Sequence, residues 1–237
     1  MLRRIKIETE VGSIGIWDPE LEKNELSDDF EIFEEELKEE ANNANLFYFE
    51  TPSDGDYLTD LYINERPSEE ILKYFEPLGR EFLIHSNSRK LLISGLEEYS
   101  LEDKSASKEQ YFEIGTNLAA LEVYELDEDA QEGFLKDSVG EGGYAYYEKK
   151  SGKGALGCLG VVVAFICLFF KLWTVAAILL GCSVFYLLMV KASQKLDKKF
   201  QEIKAKVKEI EGLFPAYVII LRTVKQGENL QGGWVGI

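Results

Sequence analysis

The longest apolar stretch of this chain lies in its C-terminal part and contains a single charge. From about Ala155 to Val190 the residues are hydrophobic or small, and Lys171 is the only charged one. One straight helix over this stretch would be about 54 Å long, whereas a bilayer core is about 30 Å thick. Divided at Lys171, the stretch gives two segments near the short end of what crosses a membrane. The pattern predicts a two-helix transmembrane hairpin over residues 155–190.

Lysines and a tryptophan mark the ends of this predicted hairpin. Lys171 and Trp173 fall at its tip, where an ammonium group reaches water and an indole ring lies among headgroups. The flanking lysines are Lys149, Lys150 and Lys153 before the hairpin, and Lys191, Lys195, Lys198 and Lys199 after it. The positive-inside rule then places both termini in the cytoplasm. We expect a plasma (inner) membrane protein with two spans; a hairpin buried in a soluble core and a re-entrant hairpin are the alternatives.

Small residues recur at a spacing of four within each predicted span. Gly160 and Ala164 form the first pair, and Ala177 and Gly181 form the second. Such pairs allow helices to approach closely. They indicate packing either between the two helices of one hairpin or between protomers.

A basic amphipathic helix is predicted over 191–212, directly after the second span. Its apolar stripe recurs at spacings of three and four and consists of Leu196, Phe200, Ile203, Val207 and Ile210. The span and this helix read as one continuous helix to about Glu211, with Gly212 as its C-cap. We expect the stripe to dock on the chain's own cytosolic domain; a coiled coil between protomers and contact with the lipid surface are the alternatives.

The segment 213–237 contains a strongly apolar run of β-branched residues after Pro215, typical of a strand buried on both faces. Such a strand needs a sheet to join. We therefore predict that the chain leaves the N-terminal domain, enters the membrane and returns to complete that domain's sheet.

Residues 1–137 alternate short apolar strands with short helices, which predicts an α+β cytosolic domain with a mixed or antiparallel sheet. The predicted strands are 2–9, 12–17, 45–51, 56–64, 80–86, 90–94, 110–115 and 119–126; the predicted helices are 28–41, 67–76 and 127–137. The clearest hairpin signal covers 45–65, with Asp54 and Gly55 as turn residues. Residues 138–154 read as a linker, whose tyrosines are either interfacial anchors or part of an edge strand.

Charge is distributed very unevenly along the chain. The net charge is −17 overall, made up of −25 over residues 1–148 and +8 over 149–237. An acidic domain repels phosphate, so nucleic acid is excluded as its partner, and a basic protein is the natural electrostatic complement. The cysteines Cys158, Cys167 and Cys182 all lie in the apolar block, which leaves the remaining sequence without a disulfide framework.

The sequence predicts no catalytic residue, cofactor or metal. His85 is the only histidine, so histidine-based triads and multi-histidine metal sites fail. The acids Asp54, Asp56 and Asp60 match a calcium loop poorly, because its glycine is misplaced and no acid closes the frame.

These patterns favour a membrane-anchored, non-enzymatic binding protein: an adaptor, a regulatory subunit or an immunity-like protein. An oligomerising membrane effector whose hairpin deforms or permeabilises the bilayer is the first alternative. A membrane-associated enzyme that uses carboxylates is the second. The expected partners are the lipid bilayer and either a protein partner or further copies of this chain.

Overall fold

A computed structural model describes residues 1–21, 30–100, 110–152, 161–163, 165–166 and 173–236. Over these residues the chain has an α+β fold with two mixed β-sheets and one long apolar helix. It divides into two compact units. The first unit combines Met1–Ala130 with Pro215–Ile237, and the second is Gln131–Phe214. The first unit is therefore built from two segments that the second unit separates in sequence.

The elements of the described chain follow in order. The strands are β1 (Leu2–Thr9), β2 (Ser13–Trp17), β3 (Leu46–Glu50), β4 (Gly55–Ile63), β5 (Phe75–Pro77), β6 (Phe82–His85), β7 (Lys90–Gly95), β8 (Tyr111–Glu113), β9 (Leu118–Leu126), β10 (Tyr217–Thr223) and β11 (Gly233–Val235). The helices are α1 (Phe30–Asn42), α2 (Glu69–Leu72), α3 (Glu97–Ser100), α4 (Glu128–Val139), α5 (Glu141–Ser151), α6 (Trp173–Leu196) and α7 (Lys198–Glu211).

The first sheet has the strand order β1-β4-β10-β9-β5, and β6 also pairs with β9. Strand β10 runs parallel to β4 and antiparallel to β9, with Ile219 opposite Leu61 and Val123. All five residues from Tyr217 to Leu221 are buried. The returning strand is thus an interior strand of the sheet, which confirms the prediction that the C-terminal segment joins the N-terminal domain.

The second sheet has the order β11-β3-β2-β7-β8. Its short strand β11 runs parallel to β3, with Trp234 opposite Tyr48. On one face, apolar residues of this sheet meet those of the first sheet in a shared core, where the ring centroids of Phe47 and Phe82 lie 4.9 Å apart. On the other face, Trp17, Leu46 and Tyr48 pack against helix residues such as Leu37 of α1.

The predicted hairpin over 45–65 is wrong, although both of its strands exist. Strand β3 pairs with β2 and β11 in the second sheet, whereas β4 pairs with β1 and β10 in the first. The chain changes sheet between Thr51 and Asp54, and β1 and β2 change sheet at the matching point. There Gly12 has a φ of +65° and its carbonyl accepts a 2.8 Å hydrogen bond from the Thr51 amide. A positive φ at this sheet-changing turn favours glycine, which has no Cβ to clash with the backbone.

All eight strands predicted in residues 1–137 are present, with ends shifted by at most two residues. The predicted helices 28–41 and 127–137 match α1 and α4. The helix predicted over 67–76 is too long, because α2 ends at Leu72 and Phe75–Pro77 pairs with β9 as a strand. Phe75 is buried there, so sheet pairing prevails over helix continuation.

The second unit is helical in its described residues. The segment predicted as a linker forms α5 from Glu141 to Ser151, so its tyrosines are not part of an edge strand. The apolar block is described mainly through α6, a 24-residue helix. Most of the first predicted span, including Gly160 and Ala164, lies outside the described residues, as does Lys171. The described part of the block therefore shows one long apolar helix and no clear two-helix hairpin.

Candidate functional site: apolar helix and acidic groove

Helix α6 presents its apolar side chains to the outside of the molecule. Its most apolar 18-residue window has a mean hydropathy of 2.2, and 6% of that window is buried. Phe185 is 65% exposed in the middle of the helix. Among the described residues, this is the one helix that has the length and the composition needed to cross a membrane. Apolar surface left uncovered at this scale marks contact with lipid or with another protein.

The predicted hairpin residues on α6 are also exposed. Trp173, at the predicted tip, is 67% exposed. Ala177 and Gly181 are on the same helix, and the space beside Gly181 is open. Close helix packing at Gly181 is therefore not formed by the part of the chain that the structure describes.

The apolar stripe of the basic helix packs inside the second unit. Phe200, Val207 and Ile210 are buried, and Ile203 is partly buried against the cluster that contains Val207 and Ile210. Leu196 does not belong to this cluster, because it is 83% exposed. The partners of the stripe lie on α4 and α5: Phe134, Leu135, Val139, Tyr144 and Tyr147.

The stripe thus docks on helices of its own unit, and these include the segment predicted as a linker. Tyr147 of α5 stacks on Phe200 of α7, with ring centroids 5.8 Å apart. Tyr147 is therefore part of the packing between α5 and α7.

Asp197 interrupts the continuous helix predicted to end near Glu211. Its backbone is extended, and its Oδ1 accepts a 3.0 Å hydrogen bond from the amide of Phe200, so it is the N-cap of α7. A side chain that caps a new helix ends the old one, which explains the break between α6 and α7. The sequence does carry a signal for this break, since aspartate before an amphipathic run is typical of an N-cap.

The same carboxylate joins α5 to the break. Its Oδ2 accepts hydrogen bonds from the Lys150 ammonium and the Tyr146 hydroxyl. Gln194 adds a 2.6 Å bond from its Nε2 to the Lys150 carbonyl. The hydrogen bonds from Lys150 and Tyr146 hold the pKa of Asp197 well below its ordinary value. The sequence pattern presents Lys150 only as a flanking charge and gives no sign of this cluster.

The first unit contains a groove of about 760 Å³ beside α1 and the second sheet. We call it the acidic groove. Its apolar floor is formed by Leu37, Tyr48, Leu96 and Trp234, and its rim carries the carboxylates Glu34, Glu50, Asp54 and Glu97. Lys38 is the one cationic side chain among the described residues that line it. These residues come from four separate parts of the chain, so no local sequence motif predicts the groove.

Two contacts fix the aromatic floor of the acidic groove. Tyr48 and Trp234 stack with ring centroids 6.2 Å apart, on neighbouring strands β3 and β11. Gly232 brings β11 against α1, because a Cβ there would collide with the carbonyl of Ala41. Only glycine permits so close an approach of two backbones. The position of Trp234 therefore depends on the Gly-Gly pair that precedes it.

Carboxylates are the most numerous charged groups among the described residues that line the acidic groove. Burial, with the charges of Glu34 and Glu50, raises the pKa of Tyr48 to about 12. Lys38 offsets part of this charge: its Nζ lies 2.5 Å from Glu34 and 5.9 Å from the centre of the Trp234 ring. Such an arrangement suits a cationic ligand with an apolar stem.

Two hydrogen bonds from the C-terminal end of β1 hold Glu97 at the rim. The hydroxyl of Thr9 donates to its Oε2 at 3.2 Å, and the amide of Glu10 donates to its Oε1 at 3.1 Å. These two hydrogen bonds fix the orientation of the carboxylate.

Two of the three acids that match a calcium loop poorly in sequence pair with basic side chains of β1 in the structure. Asp60 accepts two hydrogen bonds from Arg4, at 2.6 and 2.8 Å, and Asp56 pairs with Lys6 at 2.7 Å. Of the three, only Asp54 reaches the acidic groove. Within the described ranges, no group of three or more histidine, cysteine, aspartate or glutamate side chains is placed to hold a metal ion.

The histidine of the chain, His85, lies at the end of β6. Its backbone amide donates a 2.7 Å hydrogen bond to the Ala44 carbonyl. The residue does not line the acidic groove. The structure thus brings no histidine to the candidate site.

Comparisons with known proteins add little to this picture. No protein-family model matches the sequence, and no curated protein matches it. Among solved structures, a chain described as "Crocagin biosynthetic gene J" is similar to part of this one. The two share 11% sequence identity over 56% of this chain and 80% of the other, with a TM-score of 0.42. A likeness this weak carries no inference about function.

Proposed function

We propose that this chain is a membrane-anchored, non-enzymatic binding protein with two membrane spans. The apolar block 155–190 is the anchor, and the two-sheet unit binds a protein partner on the cytoplasmic side of the plasma (inner) membrane. Adaptors, regulatory subunits and immunity-like proteins are the classes that combine an inert anchor with an acidic binding domain.

The position of β10 carries the proposal. Strand β4 precedes the apolar block in sequence and β10 follows it, yet the two are neighbours in one sheet. Strands of one sheet lie on the same side of a membrane. If α6 crosses the bilayer, the chain must cross it an even number of times, and the remainder of the apolar block before α6 has the composition for the second crossing. Lysines on both flanks favour the cytoplasmic side for both ends.

Exposed apolar surface and charge support the two parts of the proposal. The side chains of Ile178, Phe185 and Leu188 on α6 are each more than 60% exposed, as lipid contact requires. Residues 1–148 carry a net charge of −25, which favours a basic protein over an anionic lipid surface or nucleic acid. The same exposed face of α6 supports the second candidate, a membrane effector that assembles through its spans.

Purification of the full chain from its host in mild detergent tests the proposal. Particle mass and co-purifying proteins are determined together, first at low and then at high salt. We expect one foreign protein in fixed stoichiometry, released at high salt because the attraction is screened. A homo-oligomer without a foreign partner would contradict the binding role and favour the effector. Robust turnover by the purified chain would contradict the non-enzymatic assignment.

A further inference from the structure

We propose that the acidic groove binds an extended protein segment through an arginine or lysine side chain, with its charged head among the rim carboxylates and its stem on the aromatic floor. This inference rests on the proposed binding function, and it names the chemistry of the partner. Nothing in the sequence pattern points to this site, because its residues converge only in the folded unit.

The size and lining of the acidic groove fit such a ligand. A volume of about 760 Å³ lies within the range of sites that enclose small molecules or a few side chains of a peptide. Arginine and lysine bury an apolar stem and keep a charged head in a polar setting. The floor around Leu96 and Trp234 suits the stem, and the carboxylates of Glu50 and Asp54 suit the head.

One cation of the chain itself already uses this chemistry. The Lys38 ammonium lies over the Trp234 ring and pairs with Glu34. A cation over an indole face is attracted by the ring quadrupole, and a planar guanidinium also stacks on aromatic rings. The described lining holds four carboxylates and one ammonium, so its net charge is negative. That balance favours the cation of a partner.

Tyr48 is the residue of the floor that carries a hydroxyl group. Tyr48 is 6% exposed, and burial next to Glu34 and Glu50 keeps its phenol protonated through the physiological pH range. The hydroxyl is therefore a donor as well as an acceptor. A peptide carbonyl next to the bound cationic side chain is a suitable acceptor, which favours a peptide over a bare amine.

Binding of a defined peptide to the full chain tests this proposal. The protein is held in nanodiscs of purely zwitterionic lipid, so that a cationic probe has no anionic lipid to bind. The probe is the acetylated peptide Ala-Arg-Leu-Arg-Ala with a C-terminal dye, followed by fluorescence anisotropy. The control peptide replaces both arginines by citrulline, which keeps the shape and removes the charge. We expect binding of the citrulline peptide to be weaker by about ten-fold or more.

Matched variants localise the binding. The double variant Glu50→Gln/Asp54→Asn changes two exposed rim carboxylates and should weaken binding of the arginine peptide by about ten-fold. Glu69→Gln/Glu70→Gln removes the same charge on α2, outside the acidic groove, and should change it by less than about two-fold because salt screens distant charges. Lys38→Met removes the competing ammonium and should tighten binding.

Three results would overturn the proposal: no binding of the arginine peptide at millimolar concentration, equal binding of the citrulline peptide, or equal effects of the two double variants. The failure of this site is distinguishable from that of the proposed function. If the chain still co-purifies with a foreign protein after Glu50→Gln/Asp54→Asn, the binding role stands and the partner binds elsewhere. If neither the peptide nor any foreign protein binds, both proposals are wrong.

Discussion

At the scale of single residues, two aspartates organise the parts of the chain that surround them. Asp18 is fully buried at the end of β2 and receives four hydrogen bonds, from Ser86, Ser88 and the Glu20 amide. Asp197 caps α7 and joins it to α5. The sequence marks Asp197 as a capping candidate but gives no sign of Asp18's role, because its serine partners are about 70 residues away in sequence.

Replacement of Asp18 by asparagine should destabilise the first unit. An amide nitrogen cannot accept the hydrogen bonds that one carboxylate oxygen accepts, and unmade buried bonds cost about 1–3 kcal/mol. Urea titration of the full chain in non-ionic detergent measures the loss in free energy of unfolding. Asp56→Asn is the control, since its side chain is 50% exposed and pairs with Lys6, and it should cost less than about 1 kcal/mol. Equal stability of both variants would contradict this role.

Asp18 should also make stability depend on pH. Burial alone would raise its pKa, but the hydrogen bonds from Ser88 and Ser86 lower it below its ordinary value of 3.8. A carboxyl group with a depressed pKa stabilises the fold above its unfolded-state pKa, and this contribution is lost as the pH falls through the folded-state pKa. Titration from pH 5 downwards should show a smaller loss of stability in Asp18→Asn than in the unchanged chain. An identical acid profile would contradict the assignment.

Substitutions at Asp197 should separate its capping role from its charge. Asparagine caps helices about as well as aspartate, whereas alanine does not. Hydrogen exchange over the first turn of α7 should therefore accelerate about five-fold in Asp197→Ala and much less in Asp197→Asn. Both variants lose the attraction to Lys150, so exchange at the C-terminal end of α5 should rise in both. Unchanged exchange at Phe200 in Asp197→Ala would contradict the capping role.

At the scale of elements, runs of apolar and β-branched residues locate the longer strands, but they miss the short β5 and do not give the pairing. The strong turn signal at Asp54 and Gly55 predicts a hairpin, whereas the flanking strands belong to different sheets. Local sequence favours a turn, but pairing is decided by the faces that distant strands bury. The apolar run of β10 does predict its interior place, because a strand apolar on both faces requires neighbours on both sides. In the acidic groove, local sequence predicts neither floor nor rim, since both form from distant segments.

An arginine in the middle of α6 should impair membrane insertion. Arginine at the centre of a span costs about 2.5–3.5 kcal/mol on insertion scales, and little near the end, where the side chain reaches water. Phe185→Arg should therefore increase the fraction of the chain that alkaline carbonate extracts from membranes. Leu196→Arg, at the end of the helix and 83% exposed, is the matched control and should leave that fraction unchanged. The same extraction of both variants would contradict a membrane span at α6.

At the scale of the whole molecule, the order of the chain limits its topology. The first unit needs residues from both sides of the apolar block, so neither side folds into the complete sheet alone. The sequence predicts that the chain comes back to the first sheet after the apolar block. The prediction rests on one apolar strand, β10, and on the lysines on both flanks of the block. It leaves the partner open, since the acidic groove forms only when Tyr48 and Trp234 meet in the folded sheet. The central claim is therefore that the chain crosses the bilayer twice and keeps its binding unit on one side.

Labelling of single cysteines in intact cells tests this claim most directly. In a chain whose Cys158, Cys167 and Cys182 are replaced by alanine, a single cysteine is introduced at one of three positions. These are Lys171→Cys at the proposed hairpin tip, Ser53→Cys before the apolar block, and Gln226→Cys after it. A membrane-impermeant thiol reagent is applied before and after permeabilisation. We predict that Lys171→Cys reacts in intact cells, whereas Ser53→Cys and Gln226→Cys react only after permeabilisation. Protection of Lys171→Cys together with the other two, or reaction of Ser53→Cys in intact cells, would contradict the two-span topology.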